Sequence, residues 1–131
     1  MSSPETLDEL AQAVRELDEQ RRSAVERRNA AIRAARRDGA RPVDLTRETQ
    51  LHPQVVLRII GAAQPEPETG DVAELSEAAR TATARHEDAL TRRNEAIRTA
   101  VDGGAKIADV IESTGLSRSA VHVIRTSATT H

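Results

Sequence analysis

Leu7, Leu10, Val14 and Leu17 are spaced by 3, 4 and 3, the stripe of an amphipathic helix. The stripe runs on less cleanly through Ala24/Val25, Arg28, Ala31/Ile32 and Ala35. The pattern therefore predicts a helix of about 30 residues, about 45 Å long. A second such pattern passes through Val72, Leu75, Ala79, Ala82, His86, Ala89/Leu90, Arg93, Ile97 and Ala100/Val101. Neither stretch holds an internal Pro or Gly. Ser3-Pro4 can supply a cap and a first-turn proline to the first helix, while Gly39 and Gly103-Gly104 end the two helices. A helix this long exceeds what one small trihelical unit covers. Its first half is expected to pack elsewhere, most simply parallel or antiparallel to its counterpart in coiled-coil fashion. Two shorter helices follow each glycine, near 44–48 and 53–60 in the first case, and near 107–113 and 118–125 in the second.

The two patterns are one pattern written twice. Arg27-Arg28-Asn29-Ala30-Ala31-Ile32-Arg33 reappears as Arg92-Arg93-Asn94-Glu95-Ala96-Ile97-Arg98, a constant shift of 65 positions with no gap. At that shift Glu9-Leu10 falls on Glu74-Leu75, Arg15 on Arg80, Gly39-Ala40 on Gly104-Ala105 and Asp44 on Asp109. Thr49, Leu51, Val56 and Ile59 fall on Thr114, Leu116, Val121 and Ile124. Two copies are too few for a solenoid, so a tandem duplication folded as a pseudo-twofold single-chain dimer is expected. The organisation read from the sequence is residues 1–60 for the first copy, a Pro/Glu connector at 61–70, and 71–131 for the second copy with a polar tail.

Composition narrows the picture. The 131 residues include no Phe, Trp or Tyr, so the core must be built from Leu, Ile, Val and Ala. Each half of about 65 residues buries only a thin aliphatic core, and the halves are expected to lean on each other or on a second chain. The absence of cysteine excludes disulfides, thiolate chemistry and cysteine zinc sites, and fits a reducing cytoplasm. No apolar run approaches the roughly 20 residues of a membrane span, and no signal-peptide core follows Met1. Lys106 is the only lysine beside eighteen arginines, a usage that suggests a GC-rich bacterial genome. The net charge is −2, but its distribution matters more. Ser2 to Glu19 holds six acids against Arg15, whereas Gln20 to Ile60 holds ten arginines against four acids.

Lys106-Ile-Ala-Asp-Val110-Ile111-Glu-Ser-Thr114-Gly115-Leu116-Ser117-Arg118-Ser119-Ala120-Val121-His122-Val123-Ile124 resembles a bacterial helix-turn-helix. The likeness is to the resolvase-, sigma-factor- and repressor-type proteins, particularly small actinobacterial ones with a Thr-Gly-Leu-Ser-Arg turn. The physics of the motif accounts for the residues. Gly115 supplies a positive φ, Leu116, Val121, Ile124 and Val110 form a wedge, and Ser117 caps the second helix. The family usually carries Ala where Ile111 stands, which implies a wider crossing or a face turned toward another helix. In the first copy Gln50 replaces the turn glycine, His52 the capping serine and Pro53 the arginine. Gln is left-handed only at some cost, while Pro53 suits a first helical position.

The resemblance implies an all-α protein that binds double-stranded DNA through the major groove, as a transcriptional regulator or a nucleoid, plasmid or phage factor. The second copy would contact DNA through Ser117, Arg118, Ser119, His122 and Arg125, with Lys106 and Thr114 beside them. The first copy would use His52, Gln54, Arg58 and Arg41, where Gln54 suits adenine and Arg58 guanine or phosphate. Leu57 is unusual on such a face and suits a thymine methyl or a protein contact. Copies spaced by about 34 Å would let one chain act as a dimeric repressor does, on an asymmetric site. Arg-Arg-Asn has two readings, phosphate positioning or ion pairing among the long helices. A rival reading is a helical interaction module that has lost DNA contact. Homodimerisation through the long helices is a further possibility, with nucleoid-associated cytoplasm as the expected location. No cofactor, metal or small-molecule ligand is expected: His52, His86, His122 and His131 lack ligand spacing, and no phosphate-cradling glycine loop exists. His86-Glu87-Asp88 point different ways on a helix, so no enzyme is expected, and His86 is expected at a core edge.

Overall fold

The computed structural model describes residues 6–62 and 70–127. The expected cap at Ser3-Pro4, most of the Pro/Glu connector and the last four residues, His131 among them, lie outside the described residues. The protein is all-α. Six helices follow in the order α1 (Leu7–Arg37), α2 (Pro42–Thr49), α3 (Pro53–Gly61), α4 (Val72–Asp102), α5 (Ile107–Thr114) and α6 (Arg118–Thr126). Every boundary in the second three is that of the first three shifted by 65. Helix lengths of 31, 8 and 9 residues therefore occur twice.

Local chemistry sets the boundaries. α1 starts at Thr6, whose Oγ1 accepts from the Glu9 N–H at 3.1 Å while Glu9 Oε1 accepts from the Thr6 N–H at 3.4 Å. This reciprocal capping box satisfies two donors that a helix start leaves open. α4 starts at the equivalent Asp71, whose carboxylate accepts from the Glu74 N–H at 2.8 Å. Both long helices end in a left-handed glycine, Gly39 at φ 105° and Gly104 at φ 100°. There the Ala40 and Ala105 N–H groups reach back to the Ala35 and Ala100 carbonyls, each at 2.9 Å. α2 starts earlier than the apolar pattern indicated, because Pro42 opens its first turn.

The described chain forms two compact units, and they cut across the sequence copies. The first unit combines Met1–Asp18 with Arg85–His131, and the second is Glu19–Ala84. In the first unit, Ile97 of α4, Val110 of α5 and Val121 of α6 form the core. Leu7 of α1, with Val101, Ile107, Ile111, Leu116 and Ile124, packs around it. The bulky Ile111 thus finds its place at the edge of that core. Asp18 Oδ1 lies 3.6 Å from His86 Nε2 and Leu10 shares a surface hollow with Ala96 and Thr99, so the two long segments run antiparallel here.

In the second unit, Ala31 and Ile32 of α1, Leu45 of α2, Val56 and Ile59 of α3 and Val72 of α4 make the core. Leu51, Val55, Ile60 and Leu75 pack around it. The start of α4 therefore meets the end of α1, again antiparallel. Ser76 is 2% exposed, and its hydroxyl is the one buried side-chain polar atom without a hydrogen-bond partner among the described residues. Among those residues no helix is long and apolar enough to cross a membrane.

Candidate nucleic-acid interface

The three residues between α5 and α6 fix how the two helices meet. Gly115 has φ 74°, and its N–H donates to the Ile111 carbonyl. Thr114 Oγ1 donates to the Val110 carbonyl at 2.8 Å and accepts from the Leu116 N–H at 3.2 Å, so one buried hydroxyl ties helix end to turn. Ser117 Oγ then accepts from the Ala120 N–H at 3.1 Å and caps α6. The turn between α2 and α3 repeats the threonine and left-handed bonds, while its cap draws on a different N–H. Thr49 takes the part of Thr114 at the same two distances, 2.8 and 3.2 Å. Gln50 adopts φ 61° in place of glycine, and His52 Nδ1 accepts from the Gln54 N–H at 3.1 Å in place of the serine.

These turns leave one face of each second helix in solvent. On α6 the spacing of 4 and 3 puts Arg118, His122 and Arg125 in one row, with Ser119 and Val123 in the next. The five residues and Ile107 at the start of α5 line one open groove of about 480 Å³. Four of the residues expected to bind DNA are thus brought together along α6, and Ser117 stands at its N-terminal end. Lys106 is exposed immediately before α5. On α3 the exposed rows are Pro53 with Leu57 and Gln54 with Arg58.

Thr114 requires a correction. It is only 4% exposed, and its hydroxyl is committed to the turn, so its side chain does not belong to the outward face. Arg41 is exposed, but its Nε donates to Asp44 Oδ2 at 3.0 Å, and Arg47 approaches the same carboxylate at 3.7 Å. The Arg41 hydrogen bond holds the Asp44 carboxyl below the usual carboxylate range, and the pair raises the guanidinium in turn. His52 is exposed, with Nδ1 occupied by the cap.

The repeated Arg-Arg-Asn has the same geometry in both places. Arg28 Nε and Nη2 donate to Asn29 Oδ1 at 3.1 and 2.9 Å, and Arg93 does the same to Asn94. Both guanidiniums are lowered from their ordinary range by burial, with the charge of Arg80 adding to the effect at Arg28. Four features carry no direct mark in the sequence. Arg80 Nη1 donates to the Thr49 carbonyl at 2.9 Å, closing the end of α2 beside its turn. The equivalent Arg15 comes within 3.9 Å of the position a side chain on Gly115 would take. Recurrence of this arginine at the 65-residue shift was the available signal. Ile107 in the groove carried none, since it reads as an ordinary core position. Arg98 Nη1 also reaches the Ile124 carbonyl at 3.2 Å, near the end of α6.

Among the described residues no cluster of three or more His, Cys, Asp or Glu side chains is placed to hold a metal ion. Comparisons with protein-family models, curated proteins and solved structures return no match for this chain.

Proposed function

We propose that this chain is a sequence-specific double-stranded DNA-binding protein, a transcriptional regulator or a nucleoid, plasmid or phage factor. In this reading α5 and α6 act as a helix-turn-helix, and the start of α6 enters the major groove. The observation that carries it is the convergence of Arg118, Ser119, His122 and Arg125 on one open groove that runs along α6 from its capped start to its last turn. Arg118 and Arg125 supply the charge that phosphates or guanine edges attract, and His122 and Ser119 supply hydrogen bonds to neighbouring groups. The α2–α3 pair offers Gln54 and Arg58 to a related half-site. The 65-residue shift preserved in every helix boundary supports a tandem duplication, with each copy contributing one reading helix. The protein acts by binding, without catalysis, in a nucleoid-associated cytoplasmic setting.

A second reading, a helical interaction module, is favoured by one observation: Val43 and Leu57 are 55% and 56% exposed. Selection from random duplex DNA separates the two readings. Arg118→Ala should then weaken binding to the selected duplex by about 1–3 kcal/mol. Unchanged affinity would remove Arg118 from the interface.

A further inference from the structure

Both outward faces carry an aliphatic side chain where solvent alone would favour a polar one. Val123 on α6 is 60% exposed, and Leu57 on α3 is 56% exposed. They are not equivalent positions, since at the 65-residue shift Leu57 falls on His122 and Val123 falls on Arg58. On α6 the polar row is Arg118, His122 and Arg125, and the aliphatic stands in the row of Ser119. On α3 the polar row is Gln54 and Arg58, and the aliphatic stands in the row of Pro53. Each face therefore pairs one hydrogen-bonding row with one aliphatic, in exchanged order. On α6 the pairing is built into the groove, where Val123 and Ile107 share a wall with the cations Arg118 and Arg125.

Resting on the DNA-binding reading, we propose that Val123 and Leu57 are specificity-determining residues that each recognise the C5-methyl of a thymine. The major-groove edges of the four base pairs present donors and acceptors, and a single apolar group, the thymine methyl. Among base edges, an aliphatic side chain beside cations, as Val123 is in the α6 groove and Leu57 is beside Arg58 on α3, matches that methyl. The cations hold the phosphates, and the aliphatic withdraws from water only where a methyl meets it. Because the aliphatic and polar rows are exchanged between α3 and α6, the thymine stands on opposite sides of the hydrogen-bonded base in the two half-sites. The bound sequence is then not a palindrome.

The test replaces thymines one at a time by deoxyuridine in the duplex recovered by selection, which removes the methyl and leaves base pairing intact. Affinity for the full-length protein should fall by about fourfold at one thymine in each half-site, the worth of one buried methylene. Val123→Ala should abolish the sensitivity in one half-site alone, and Leu57→Ala in the other. Both residues are mainly exposed, so neither substitution threatens the fold, and the deoxyuridine series on the unaltered protein needs no variant. Tight binding that is indifferent to every deoxyuridine, or a sensitivity that survives both variants, overturns this inference and leaves the DNA-binding reading standing. Failure to recover any duplex overturns both.

Discussion

Gln50 and Gly115 hold the same left-handed turn position, at φ 61° and φ 74°, with very different intrinsic costs. A residue with a Cβ costs roughly 1–2 kcal/mol there, whereas glycine occupies the region freely. Gln50→Gly should therefore stabilise the chain by about 1 kcal/mol, and Gly115→Ala should destabilise it similarly; chemical denaturation measures both. A side chain on Gly115 meets nothing closer than Arg15 at 3.9 Å, so its cost is in the backbone alone. Opposite signs are required for the pair. Asp44 gives a pH test. Its carboxyl is depressed by the Arg41 hydrogen bond, so the stability from the pair is fully present above the unfolded carboxylate value of about 3.9 and is lost as pH falls through the folded value. An NMR titration of Asp44 should show a midpoint below that of a free aspartate, and Arg41→Ala should bring it back.

At the scale of elements, local chemistry closes the turn inside each pair of short helices. The spacing of Val110, Leu116, Val121 and Ile124 could be read as a wedge, and those four residues do form and flank one core. Gly115 and Ser117 advertised the turn and the cap by residue type. Gln50 and His52 did not, yet Gln50 makes the same backbone bond as Gly115 and His52 still caps α3, through the Gln54 N–H, because the buried Thr49 fixes the turn whichever residues follow it. Thr114 misled for the same reason. A threonine beside a turn looks outward-facing in sequence, but its hydroxyl is the tie between helix end and turn, and that geometry buries it. The capping box at Thr6 has the Thr-x-x-Glu spacing, a start signal three residues after the Ser3-Pro4 expected to cap the helix. The groove itself could not be read from periodicity, since it depends on Ile107 from one helix and Val123 from the next.

Across the whole molecule, the excess length of α1 and α4 has a structural answer. Each compact unit takes its short helices from one sequence copy and the opening segment of a long helix from the other. The sequence predicts a helix of about 30 residues that outruns one small unit, but its seams are ambiguous about direction and partner. Leu10 separates sequence copy from compact unit. It belongs to the first copy, is 7% exposed, and lies in the unit that holds Val110 and Val121. Leu10→Ala should cost about 2–5 kcal/mol there. Amide exchange at Val110 and Val121 should accelerate more than at Leu45 and Val56; the reverse order would return Leu10 to the unit of its own copy.

The central claim is that the outward face of α6 binds duplex DNA through Arg118 and its neighbours. The most direct measurement is the salt dependence of affinity for the selected duplex, made on the unaltered protein and on Arg118→Ala. Phosphate neutralisation makes log affinity fall linearly with log salt, at about 0.9 per phosphate contacted. The expected result is a steep line for the unaltered chain, with Arg118→Ala weaker throughout and less steep if Arg118 meets a phosphate. A flat line, with weak binding that Arg118→Ala leaves untouched, would contradict the claim and leave α6 as a surface for another protein.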